Sequence, residues 1–302
     1  MTQNSLDLEL QKYRNLVDER CLELVSGIRY EALREPVASL LASGKRIRPL
    51  VTLLSSEASG GSAKDVLDPA MGMELLHAAS LVHDDIMDRA SLRRGKPTLH
   101  EAFGNNIALV CGDYLVALAY EKMFLAPPQF RENALALTNK AYRSLCEGQA
   151  LEEHVNSAND ANLKTFFEIL ENKTGSLMEL AASVGALIGG ADEKLRLAFA
   201  QFGNWLGVAF QIQDDILDVV GCETETGKDH LLDMKNNKKT FLHFAGAEEV
   251  PITEATDERI LLAAKKSEEC MDRSLAVLRE IPTSDARNRL EKFALSLLNR
   301  RS

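Results

Sequence analysis

Apolar residues recur at three- and four-residue spacing along nearly the whole chain, and this periodicity constrains it to helices packed on helices. The periodic runs cover residues 6–26, 49–58, 65–89, 106–125, 131–148, 163–187, 193–220, 260–279 and 284–300. Their stops are chemically legible: Gly27, Gly60-Gly61, Pro127-Pro128, Gly189-Gly190, and Pro282 shortly before Ser284. Alternating segments joined by hairpin turns, the mark of a sheet protein, are absent from the pattern. With 45% hydrophobic residues in 302, the chain has enough apolar material for one large core, so a single all-α domain over 1–302 is expected. One long polar stretch, 221–239, lacks any apolar period and reads as a loop over a site.

Two acidic clusters interrupt the apolar helices. His83-Asp84-Asp85-Ile86-Met87-Asp88 ends one run, and Gln211-Ile212-Gln213-Asp214-Asp215-Ile216-Leu217-Asp218 lies in another. Residues i and i+4 share a helix face at roughly 5–6 Å between Cβ atoms, so Asp84 with Asp88, and Asp214 with Asp218, can each converge on one ion. Asp85 and Asp215 are rotated away and suit outer ligation or hydrogen bonding. Carboxylates one turn apart repel, and a bound cation relieves that repulsion. Mg²⁺ fits, because it takes oxygen ligands and uses one or two carboxylates together with water and substrate phosphates. A single acidic triplet is as readily a solvated helix face; two matched copies inside apolar helices are not.

Basic residues accompany the clusters. Gly44-Lys45-Arg46-Ile47-Arg48-Pro49 precedes one helix, Arg93-Arg94-Gly95-Lys96-Pro97 follows the first cluster, and Lys173-Thr174 and Lys238-Lys239-Thr240 lie further on. Arginine suits bidentate phosphate contact and lysine acts as a point charge. His77 lies seven residues, about two turns, before Asp84 and near the same face, where it can reach a phosphate. Each basic run alone is more often a solvated surface; their combination with the aspartates points to phosphorylated substrates held through a metal.

The overall charge excludes other classes. A net charge of −10 and a pI near 5.2 argue against a nucleic-acid surface. No run of about 18 apolar residues suggests a membrane span. The first residues lack a signal-peptide apolar core. The five cysteines (Cys21, Cys111, Cys146, Cys222 and Cys270) are widely spaced and odd in number, which suits a reducing compartment. A cytoplasmic protein is expected.

In order and spacing these segments, together with Leu76-His77, Gly112-Asp113, Glu147-Gly148-Gln149 and Phe210-Gln211, resemble the trans-polyprenyl diphosphate synthases of the isoprenyl synthase family along nearly the whole chain. The resemblance implies an isoprenoid synthase fold, about ten or more mostly antiparallel helices around a central cavity, usually as a homodimer. It implies condensation of an allylic diphosphate with isopentenyl diphosphate, with about three Mg²⁺ ions bearing on the leaving diphosphate. In that scheme Asp84, Asp88 and Asp214 bind Mg²⁺, with Asp85, Asp215 and Asp218 close by. Arg93, Lys173, Thr174, Gln211 and Lys238 hold the allylic diphosphate; Lys45, Arg48, His77 and Arg94 hold isopentenyl diphosphate.

The sequence departs from the family pattern in the polar loop, a candidate lid. Thr224-Glu225 stands where a Gly-Lys pair is usual, shortly before Gly227-Lys228-Asp229; either Lys228 supplies the missing charge or the lid is weaker. The loop's role is put in doubt more than the reaction class.

Family resemblance also frames product length. Ser80 and Ala79, four and five residues before Asp84, would border the tunnel for the growing chain. Family members that stop early often carry a bulky aromatic there. Two small residues favour a medium- or long-chain product, beyond C20, with a geranylgeranyl or farnesyl diphosphate synthase as the alternative if a floor lies elsewhere. Phe103, Tyr114, Tyr120 and Phe124 are candidate floors. A terpene cyclase would have no use for Lys45, Arg48 and Arg94, a plain divalent-ion binder none for the ordered basic residues, and a non-catalytic regulatory subunit would be expected to lose aspartates.

Overall fold

The helix Ser176–Ile188 is buried at every residue but Glu179. Its sequence mixes leucine and valine with alanine, glycine and serine, so neighbouring helices can close on it from several sides. The computed structural model describes residues 3–158, 162–220, 241 and 257–298. In chain order the elements are α1 (Gln3–Ser26), α2 (Glu31–Leu41), α3 (Ile47–Ala58), α4 (Ala63–Met87), a short antiparallel pair β1 (Leu92–Arg93) and β2 (Lys96–Pro97), α5 (Leu99–Phe103), α6 (Asn105–Phe124), α7 (Arg131–Ala158), α8 (Leu163–Leu170), a π-helical turn (Glu171–Gly175), α9 (Ser176–Ile188), α10 (Glu193–Val220), α11 (Glu258–Glu280) and α12 (Asp285–Leu298). The fold is all-α.

α9 contacts both helices that carry the acidic clusters, α4 and α10, and packs broadly on α3. α4 in turn packs on α3 and α6, and α10 on α11. Close approach depends on glycine at defined points. A Cβ on Gly185 would overlap the Thr52 carbonyl of α3, and one on Gly203 would overlap the Met178 carbonyl of α9. Truncating a buried anchor of α9 such as Leu180 to alanine is expected to cost ~2–5 kcal/mol.

The structure departs locally from the periodicity. α2 is a helix that the pattern did not mark, because it is short and Pro36 lies inside it; Pro36, Val37 and Leu41 nevertheless bury its inner face. The run 163–187 is not one helix but is broken by the π turn at Glu171–Gly175. A hairpin does occur: Arg93 pairs with Lys96, leaving Arg94 (φ 53) and Gly95 (φ 71) as a two-residue turn with both φ values positive. Among the described residues no helix is long and apolar enough to cross a membrane.

Candidate active site

The inward ends of α4 divide their residues by face. His77, Ser80, Leu81, Asp84 and Asp88 retain solvent contact at spacings of three, four, seven and eleven, one helix stripe. Ala79, Val82 and Asp85 lie on the buried side. Asp84 and Asp88 therefore share the open face, and Asp85 turns inward. There it meets Arg93 of β1, whose Nε donates to Asp85 Oδ1 and Oδ2 at 2.8 and 2.9 Å while Nη2 lies 2.6 Å from Oδ1. Burial opposes the Arg93 charge, but the hydrogen bond to Asp85 and the charges of Asp85, Asp84 and Asp88 outweigh it and raise its pKa.

The π turn supplies the next groups. Lys173 Nζ lies 2.7 Å from Glu152 Oε2 of α7 and 3.7 Å from Asp84 Oδ1. The hydroxyl of Thr174 donates to Gln211 Oε1 at 3.0 Å, and Gln211 Nε2 donates to Asp215 Oδ1 at 2.9 Å. A π turn shifts the helical register, which lets adjacent side chains address different helices: Lys173 reaches α7 and α4, and Thr174 reaches α10. The turn fits closely because residue 148 on α7 is glycine; a Cβ there would lie 2.8 Å from Asn172 Cβ and 2.9 Å from the Lys173 nitrogen. On α10, Asp215 and Asp218 are buried and Asp214 is partly exposed.

A basic group faces the same region. Burial pulls the Arg48 guanidinium down to about 10, against the opposing charges of Glu74 and Asp214, so it stays charged at neutral pH. Burial of the His77 ring, then the charges of Arg48, Arg94, Arg93 and Arg46, push its pKa well below the usual 6.5 and keep it neutral. Arg94 Nη1 donates to the Ser43 carbonyl, and Lys45 is exposed on the same loop. A surface cleft of about 450 Å³ between α2, the β pair and α4 is lined by residues that include Ser43, Leu81, Asp85, Arg93, Arg94 and Lys96.

The predicted residues are thus largely neighbours, linked through Asp84–Lys173, Asp85–Arg93 and Thr174–Gln211–Asp215. Lys228, Lys238, Glu225 and the 221–239 loop lie outside the described residues. Glu152 was not predicted; its only signal was a glutamate three residues after Gln149 in a matching segment. Among the described residues no three His, Cys, Asp or Glu side chains are arranged to hold a metal by themselves. The donors on offer, carboxylates of Asp84, Asp88, Asp214 and Asp218, are hard oxygen ligands of the kind Mg²⁺ takes.

The family model described as polyprenyl synthetase matches residues 30–280. A short chain isoprenyl diphosphate synthase from Methanothermobacter thermautotrophicus is 38% identical over 235 residues, 77% of this chain and 72% of that protein. The crystal structure of geranylgeranyl pyrophosphate synthetase from Pyrococcus horikoshii superposes with a TM-score of 0.90 at 34% identity, covering 98% of this chain and 99% of that one. A polyprenyl synthase from Caulobacter crescentus, solved with calcium and isoprenyl diphosphate, superposes with a TM-score of 0.84 at 27% identity, covering 99% of this chain and 97% of that one.

Proposed function

This chain belongs to the polyprenyl synthetase family and is a trans-prenyltransferase, and we propose that it condenses an allylic diphosphate with isopentenyl diphosphate to a short-chain product, geranylgeranyl diphosphate. The observation that carries the site assignment is the joining of Asp84 and Asp85 to Lys173 and Arg93: acidic and basic groups meet at one face, as a metal-bridged diphosphate requires.

Asp84 and Asp88 on α4, with Asp214 and Asp218 on α10, would hold Mg²⁺. Bound there, the metal supplies positive charge to the leaving diphosphate. Arg93, Lys173, Thr174, Gln211 and Lys238 bind the allylic diphosphate; Asp85 aims Arg93 and Asp215 aims Gln211. Lys45, Arg48, His77 and Arg94 bind isopentenyl diphosphate, with neutral His77 giving a hydrogen bond without added charge. As the allylic C–O bond breaks, its electron pair leaves on the diphosphate, and Arg93 and Lys173 stabilise that charge. The isopentenyl double bond then attacks the carbocation, and a proton leaves to a diphosphate oxygen. The apolar bundle keeps water from the cation.

The small residues at 79 and 80 favoured a product beyond C20. The relatives, named short chain and geranylgeranyl synthases, support the alternative instead. Phe103 and Tyr114 pack against the core and can supply a floor, whereas Phe124 is 53% exposed under Arg131. Leu109 and Val110 join Phe124 as exposed apolar residues of α6, which supports a homodimer through that helix.

The test is product analysis by mass spectrometry with geranyl or farnesyl diphosphate, labelled isopentenyl diphosphate and Mg²⁺. Geranylgeranyl diphosphate is expected as the terminal product. Longer chains would restore the long-chain reading. No turnover by the chain alone would favour a regulatory subunit, and turnover without isopentenyl diphosphate would favour a cyclase.

A further inference from the structure

In the run Gly44-Lys45-Arg46-Ile47-Arg48, Lys45 is exposed and Arg48 partly so, but Arg46 turns inward. Its backbone lies in the left-handed region (φ 52), immediately before α3, a conformation that L side chains adopt only when something else holds them there. What holds it is a buried guanidinium. Nη1 donates to Glu74 Oε1 at 2.7 Å, Nε to Asp18 Oδ1 at 2.8 Å and Nη2 to the Leu41 carbonyl at 2.5 Å. The Arg46 and Glu74 side chains are 3% and 7% exposed, while Asp18 is half-exposed.

The contact organises more than itself. A Cβ on Gly44 would lie 2.8 Å from Arg46 Nη1 and 3.2 Å from Glu74 Oε1, so the backbone leading to Lys45 passes directly over the ion pair. Glu74 stands three residues before His77 on α4. Its charge favours the cationic forms of Arg48 and Arg94 as well as Arg46, which places one buried counter-charge inside the basic group. Glu74 also ties this loop to the helix that bears Asp84.

We propose that the Arg46–Glu74 ion pair is a positioning element for the homoallylic diphosphate. It fixes the turn from which Lys45 and Arg48 project and sets Glu74 behind Arg48 and Arg94. The inference rests on the assignment of those cations to isopentenyl diphosphate made above. A merely structural pair would behave differently, because a buried ion pair exchanged for apolar residues of similar volume often leaves stability unchanged or improved.

The experiment compares steady-state kinetics and melting temperature in the full chain with Mg²⁺. Glu74→Gln is expected to raise KM for isopentenyl diphosphate about 10-fold, with kcat and the allylic KM within about twofold of wild type. The double variant Arg46→Met/Glu74→Leu should melt near wild type yet keep the raised isopentenyl KM; a KM restored along with stability overturns the proposal. Asp18→Asn, at a half-exposed carboxylate, should raise the same KM about 2–3-fold, and no change there counts against the proposal. Arg48→Ala separates the two layers. If it raises the isopentenyl KM while Glu74→Gln does not, the positioning role alone fails. If neither variant changes it, the assignment of the cations fails and takes the inference with it.

Discussion

Lys173 lies between two carboxylates at unequal distance, 2.7 Å from Glu152 and 3.7 Å from Asp84. The nearer partner belongs to α7 and the farther to the acidic cluster of α4. Lys173 is thus held beside Asp84 with its nearer ion pair to Glu152, and Asp84 stays partly exposed on the open face of its helix.

Removing the Glu152 charge upsets that balance. In Glu152→Gln the ammonium loses its close ion pair, which strengthens its pull toward Asp84, 3.7 Å away. Lys173 then competes with Mg²⁺ for Asp84. The Mg²⁺ concentration for half-maximal activity is expected to rise about 3–10-fold, with a smaller change in kcat at saturating metal. A metal titration of both proteins checks this, and an unchanged midpoint would show that Glu152 has no hold on the metal site.

Asp84 and Asp85 are neighbours in sequence with different surroundings, and their variants should differ accordingly. Asp84→Ala is expected to abolish Mg²⁺-dependent condensation, a loss of about 10³-fold or more, because it removes a donor from the open face. Asp85→Asn should instead loosen Arg93, raising the allylic KM while the Mg²⁺ midpoint stays near wild type. Radiolabel incorporation measured against metal and against allylic diphosphate separates the two. Turnover by Asp84→Ala at the wild-type rate would refute its metal role.

That difference between Asp84 and Asp85 was partly legible in the sequence. Helical spacing put Asp84 with Asp88 and rotated Asp85 away, but could not name Arg93 as its partner, because the hairpin that folds Arg93 back spans only a few residues. The long helices declared themselves through apolar period and Gly or Pro stops. α2 did not, since Pro36 breaks the usual propensity and tertiary burial overrides it. The π turn was invisible for a similar reason: its residues continue a helical pattern, and the register slip is set by packing against α7 and α10. Glu152 and Glu74 were missed because a lone acid on a helix carries no signal until the fold brings an opposite charge to it.

Position 80 is the better site for altering product length. Ser80 lies on the open stripe with Asp84, its hydroxyl donating to the His77 carbonyl at 2.9 Å, while Ala79 is wholly buried. Ser80→Phe is expected to place a ring beside the growing chain and shorten the product by one or more isoprene units, toward farnesyl diphosphate, with little change in melting temperature. Ala79→Tyr should shorten it too, but at ~1–3 kcal/mol of stability, because the added bulk enters a filled core. Mass spectrometry of products and thermal melts check both, and unchanged product lengths in the two variants would remove this face from the tunnel.

His77 gives the site a pH signature. Desolvation of its partly buried ring, then the charges of Arg48, Arg94, Arg93 and Arg46, hold its folded pKa well below 6.5, the value expected once the chain unfolds. Below 6.5 the unfolded chain therefore binds a proton that the folded chain refuses, and stability falls as pH drops through that window. Above 6.5 both states are neutral at this residue and its contribution is complete. His77→Gln keeps a neutral hydrogen-bonding group and cannot titrate. The melting temperature of wild type is accordingly expected to fall more steeply than that of His77→Gln between about pH 7.5 and 5, the two curves diverging as the imidazole of the unfolded chain becomes protonated. Parallel curves would mean that His77 takes up its proton in the folded protein as readily as in the unfolded one, and that the arginines do not surround it as described.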